Sequence, residues 1–337
     1  MTTRAHTDGA IFRCRRTMFR FRCACASLTA LLTVSALVGC SYPALNAPRA
    51  NSAPSPLSRS DRRIELHLED GALTAEAIDA APEIRAWVDR ATAAIEAYYG
   101  RFPVQRAQMV VEREGGSGIR WARTYAQAGA HVRVGVGFDT SPTDFASDWM
   151  LTHEFVHLAL PQLADEHDWL QEGAATYVEP VARAEAGQLT PERVWAEFAL
   201  QMPRGLPARG DRGLDNSSTW GRTYWGGALF CLVTDVEIHK RTQNRFGLRD
   251  ALRAILADGG TLEHRWTVRE ALKIGDRATG VTVLTETYEA WRTQPVQVDL
   301  DDLWRQLGIE RQGHKAILHD DAPLADIRRA ITAQVDN

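Results

Sequence analysis

Hydrophobic and polar positions change their period along this chain. From Arg63 the segment IELHLE alternates apolar and polar residues, the two-residue period of a strand with one buried face. PEIRAWVDRATAAIEAYYG opens with proline, repeats apolar residues at helical spacing and stops at Gly100, which predicts a helix. AQMVVER reads as another strand, as does AHVRVGVGF from Ala130 to Phe138, where Val132, Val134 and Val136 share one face. Beyond TSPTD helical spacing takes over. Asp144 to Leu160 predicts one helix closed by Pro161, and HDWLQEGAATYVEPVARAEAG a second, with Pro180 as a point of interruption. MPRGLPARGDRGLDNSS, with its glycines, prolines and mixed charges, predicts a surface excursion near a cleft. TYWGGALFCLVTDVEIHKRT predicts a third strong helix, and the remainder several shorter ones. The pattern predicts an α+β fold, with a small mixed lobe over 63–142 and a mainly helical lobe over 143–337.

Composition changes this picture mainly at the N-terminus. Arg13, Arg15, Arg16, Arg20 and Arg22 precede CACASLTALLTVSALVGC, a basic region followed by a short apolar one, as in an export signal. The stretch ends in Leu37-Val38-Gly39-Cys40, which resembles the lipobox of bacterial lipoproteins. That resemblance implies a signal peptide over 1–39, with Met1 or Met18 as its start, and a lipid on Cys40. Ser41 resembles the outer-membrane sorting pattern, so the expected location is the bacterial envelope, on the periplasmic face. Residues 40–62, rich in Pro, Ser, Ala and Asn, read as a flexible tether. Of five cysteines only Cys231 then stays in the folded part, within the apolar GGALFCLV, where a buried inert thiol is expected. A formal net charge of -4 with no long block of one sign argues against a nucleic-acid partner.

The helix over 144–160 carries candidate chemistry. His153 and His157 lie four residues apart, so one helix face presents both imidazoles, and two imidazoles held so can grip one metal ion. Glu154 sits about 100° around that helix, placed to take a proton from water rather than to bind metal. Trp149, Met150, Leu151, Phe155, Val156, Leu158 and Leu160 mark the helix as buried, where three ionisable side chains are costly unless paired or bound. A hydrolytic zinc site takes three protein ligands. Leu160 and Leu163 exclude a third histidine in the metzincin arrangement. Glu172, 15 residues after His157, is the preferred third ligand, and Gly173 beside it permits close helix packing. Asp165, Glu166, His167 and Asp168 are competitors, expected instead to cap the second helix. Thr176 is a candidate for orienting a ligand.

HEFVH followed by WLQEGAATY resembles the gluzincin zinc metallopeptidases, closest to the branch of the glycyl aminopeptidases and M1-type aminopeptidases. The likeness covers roughly residues 130–310. It implies a thermolysin-like zincin core, Zn2+ on His153, His157 and Glu172, Glu154 as general base, and a peptide or protein substrate. A Tyr-x-x-Gly element further along the family pattern matches Tyr224 and Gly227, which implies that the Tyr224 hydroxyl stabilises the tetrahedral intermediate. The chain has no GxMEN-type segment, the one M1 aminopeptidases use for a free amino terminus. The substrate-edge strand expected here, GAHVRVGVGF, suits an endopeptidase equally. A zinc amidase acting on cell-wall peptides, or a non-catalytic zincin-fold lipoprotein, are the open alternatives. Cys40→Ser is expected to move the protein from the membrane to the soluble fraction on cell fractionation; a variant that stays with the membrane contradicts the lipid anchor.

Overall fold

The structure, a computed structural model, describes residues 63–73, 82–126, 129–217 and 219–334. The expected signal peptide and Cys40 lie outside the described residues, as does all of the tether. Among the described residues no helix is long and apolar enough to cross a membrane.

Five strands form one sheet: β1 (Arg63–Glu69), β2 (Ala72–Leu73), β3 (Arg106–Glu114), β4 (Ile119–Ala126) and β5 (Ala130–Gly137), in the order β2-β1-β3-β5-β4. β3 and β5 run parallel; the other pairs are antiparallel. The alternation in β1 buries Leu66 and Leu68, and β5 buries Val132, Val134 and Val136 completely. A strand apolar to this degree belongs inside a sheet. The expectation for GAHVRVGVGF is therefore corrected: β5 is paired on both sides, and β4 forms the edge. β4, IRWARTYA, carries no clean alternation, and all its residues are partly exposed apart from the exposed Arg120. Gly135 of β5 makes room for it, since a Cβ there would lie 2.1 Å from Nε1 of Trp121.

Helix α1 (Pro82–Tyr99) buries Ile84, Trp87, Val88, Ala91 and Ile95 and touches the helices that follow. The expected single helix over 144–160 is two: α2 (Pro142–Ser147) and α3 (Met150–Leu158). Ser141 and Asp144 form a reciprocal cap on α2. Asp148 then turns to extended backbone, and its carboxylate accepts from the amides of Met150 (3.2 Å) and Leu151 (3.1 Å) and from Trp87 Nε1 (2.8 Å). Those bonds satisfy free amides of the first turn of α3 and tie it to α1. Helix α4 (Asp168–Glu185) runs through Pro180 without interruption; burial from Gly173 to Glu185 on nearly every face holds it there.

The helical part continues with α5 (Pro191–Gln201), a π-helical turn over Gly221–Gly226, α6 (Gly227–Thr242), α7 (Leu248–Ala257), α8 (Val268–Thr279), α9 (Val283–Trp291), α10 (Leu300–Leu307) and α11 (Ala325–Ile331). A hairpin of β6 (Ile309–Gln312) and β7 (Lys315–Leu318) interrupts the predicted run of short helices. Buried Arg328 supports it by donating to the carbonyls of Leu307, Gly308 and His319 at 2.9–3.0 Å. One continuous hydrophobic core joins the sheet, α1 and the helical part, and α3 lies within it, between the sheet and α4. Cys231 is buried in α6, and burial pushes its thiol far above the ordinary range, as an inert core residue.

The close approach of α4 and α6 decides where Glu172 sits. A Cβ at Gly173 would lie 2.2 Å from the Cα of Gly227, so neither helix can approach this near with any side chain at that crossing. Gly173→Ala is expected to cost about 3 kcal/mol by overpacking, read as a lowered denaturation midpoint, and to reduce metal content. An unchanged midpoint would show that the crossing tolerates a methyl group.

Candidate metal centre

Helix α3 presents His153 and His157 one turn apart, with ring centroids 5.1 Å from each other and planes at 80°. Glu172 enters from the second turn of α4. Its Oε2 lies 3.3 Å from Nε2 of His153 and 3.5 Å from Nε2 of His157. One ligand atom from each residue falls within 4.8 Å of the others. Burial alone would raise the Glu172 carboxyl, but the facing imidazoles outweigh it and hold the group well below the usual carboxylate range.

This donor set fits zinc. Ligand atoms at about 2.0–2.2 Å from a tetrahedral ion stand about 3.3–3.5 Å apart along each edge, and the two nitrogen-oxygen separations match that span. His153 is held by packing: Trp149 meets its ring edge-on at 5.7 Å and Tyr224 stacks on it at 6.4 Å. Its Nδ1 is buried with no hydrogen-bond partner among the described residues.

Glu154 stands beside the cluster and outside it. Its carboxylate accepts a hydrogen bond from the Thr124 hydroxyl at 2.8 Å, and the same hydroxyl lies 2.9 Å from the Glu154 carbonyl. Thr124 belongs to β4, so the edge strand and Glu154 are joined directly. Sequence reasoning missed Thr124; a threonine inside an irregular apolar-polar run gives no signal until the strand is placed. The side chain of Thr176, the residue expected to orient a ligand, makes no hydrogen bond among the described residues.

Tyr224 reaches the site from the π-helical turn, an irregularity frequent at functional positions. Trp220 stacks on its other face at 5.7 Å. Burial first, then the charges of Glu172 and Glu154, push its hydroxyl well above its ordinary value, so it stays protonated and able to donate. Arg222 anchors the turn: its guanidinium pairs with Asp211 at 2.8 Å and donates to the Gly205 carbonyl. Gly227, the second motif position, is a packing residue, since a Cβ there would lie 1.9 Å from the Trp169 carbonyl oxygen.

The solved structures this chain resembles are M1 zinc metallopeptidases. A mutant of a two-domain M1 zinc metallopeptidase bound to L-arginine aligns with TM-score 0.44 and 16% identity over 71% of this chain and 53% of that one. The M1 zinc metallopeptidase from Deinococcus radiodurans gives TM-score 0.43 and 15% identity over 71% and 53%. A mutant from that organism bound to a Tyr-Ser-Ala substrate gives 0.44 and 16% over 71% and 54%. This chain spans about half the length of those chains. No protein-family model matches it, and no curated protein is similar to it. TM-scores below 0.5 leave the functional reading to the side chains themselves.

The competing ligands separate from the centre. Asp165–His167 form a short 3-10 turn, and the start of α4 has no side-chain cap, contrary to expectation. His167 turns to Asp215 at 3.0 Å, and the same carboxylate receives Trp169 Nε1 at 2.9 Å and the Tyr288 hydroxyl at 3.2 Å. A half-buried, multiply paired aspartate is thus what His167 serves, and His167 lies outside the metal-ligand cluster.

Proposed function

We propose that the chain is a zinc-dependent metallopeptidase, tethered to a bacterial envelope membrane through a lipid on Cys40. The observation that supports the catalytic reading is the convergence of His153, His157 and Glu172 on one point, with Glu154 beside that point but excluded from the cluster. The tether rests on the sequence around Cys40 alone.

Zinc, when bound by these three residues, supplies Lewis-acid polarisation and brings the pKa of a bound water to about 7. The remaining roles belong to the chain. Glu154, steadied by Thr124, accepts the proton of the attacking water and passes it to the leaving amine. Tyr224, kept protonated, donates its hydroxyl hydrogen to the oxygen on which negative charge develops. β4 is the outermost strand of its sheet, so its free edge can pair with an extended peptide beside Glu154.

Glu154→Gln is expected to lower kcat on peptides by about 10²–10⁴-fold while one equivalent of zinc remains by metal analysis. Substantial turnover by that variant would remove Glu154 from the reaction. Tyr224→Phe is expected to lower kcat by about 10²–10³-fold with little change in KM; an unchanged kcat would assign the oxyanion to another group.

A further inference from the structure

Charged side chains gather on one face of the sheet: Arg133 is in register with Val110, and Glu112, in register with Gly135, reaches it diagonally. Glu112 of β3 pairs with Arg133 of β5, with 3.0 Å between Arg133 Nε and Glu112 Oε1. Arg133 stands opposite Arg123 of β4 in the antiparallel register. The group therefore holds one carboxylate and two guanidiniums, and like charges placed directly opposite repel. Arg133 is neutralised by Glu112. Arg123 has no carboxylate partner among the described residues; its guanidinium lies over the Tyr125 ring, 5.9 Å from the centroid. Neither β4 nor β5 carries an acidic residue.

The surplus charge sits at the sheet's outer edge, next to Thr124 and hence to Glu154. Strand alternation places Arg123 on the face opposite Thr124, but no further strand covers the edge on that side. The two acids of the candidate centre are engaged elsewhere: Glu154 with Thr124, and Glu172 with the two imidazoles.

We propose that Arg123 is a specificity-determining residue that binds a carboxylate on the substrate peptide, at the residue lying across the free edge of β4 from it. This rests on the peptidase reading above. A peptide paired with β4 places one of its residues across from Arg123, and a carboxylate there supplies the opposite charge that Arg133 obtains from Glu112. A planar guanidinium suits a carboxylate in two-point contact. The carboxylate has two possible sources, an aspartate or glutamate side chain or the C-terminus of a short peptide.

The test uses fluorescent peptides in which glutamate replaces glutamine at each position in turn, each made with a free and an amidated C-terminus. Binding to zinc-loaded Glu154→Gln protein is read by anisotropy and hydrolysis by the wild type as kcat/KM. The expected result is one position, or the free C-terminus, at which the carboxylate is preferred by about five- to tenfold. Loss of the preference on amidation identifies the terminal carboxylate; its persistence identifies the side chain. Arg123→Gln should bring that ratio to about one, and Arg123→Glu should invert it toward lysine, with melting temperatures confirming folded protein. Equal treatment of glutamate and glutamine everywhere and of free and amidated termini, or a preference that survives in Arg123→Gln, overturns the proposal. Binding that depends on Arg123 without hydrolysis of any peptide supports the subsite and sinks the peptidase reading.

Discussion

A carboxylate oxygen within 3.5 Å of two imidazole nitrogens is the constraint around which this molecule is arranged. At this distance each Nε2 either donates a ring N–H to the carboxylate or turns a lone pair toward a cation shared with it. A divalent cation satisfies all three donors together and leaves room for solvent in the coordination shell. Much of the surrounding architecture holds these donors in register: Asp148 sets the start of α3, and the glycine crossing at Gly173 and Gly227 sets the depth of α4.

The second layer of control lies in irregular backbone. Tyr224 reaches His153 because the chain before α6 winds as a π turn, which widens the spiral ahead of the regular helix. Such a turn has poorer intrinsic stability than an α-turn and persists where neighbours hold it. Here Arg222, Asp211 and the Gly205 carbonyl bind it to the preceding loop, and Trp220 closes over Tyr224. The glycine- and proline-rich segment over 202–217 is therefore a brace for the tyrosine, as well as a surface excursion.

Much of the candidate site was legible in the sequence because the residues that cluster there obey helical spacing. His153 and His157 follow from the i, i+4 rule, and Glu172 from the minimum length of chain needed to turn back. What escaped was whatever depended on neighbours in space. The edge position of β4 was hidden because its residues are partly exposed almost throughout, while the fully buried valines of β5 gave a strong strand signal without revealing two-sided pairing. The break at Asp148 was invisible because apolar spacing continues across it; the cap that makes the break is a set of hydrogen bonds from Trp87, Met150 and Leu151. His167 looked like a ligand or cap by composition and became a partner of Asp215, 48 residues away in sequence. Thr124 had no local signature at all.

Anomalous scattering at the zinc edge from crystals of the purified protein tests the central claim most directly. The account predicts a single peak about 2.0–2.2 Å from Nε2 of His153, Nε2 of His157 and a carboxylate oxygen of Glu172. A metal held elsewhere, or a Glu172 side chain turned beyond bonding reach of the ion its two histidines share, would contradict it.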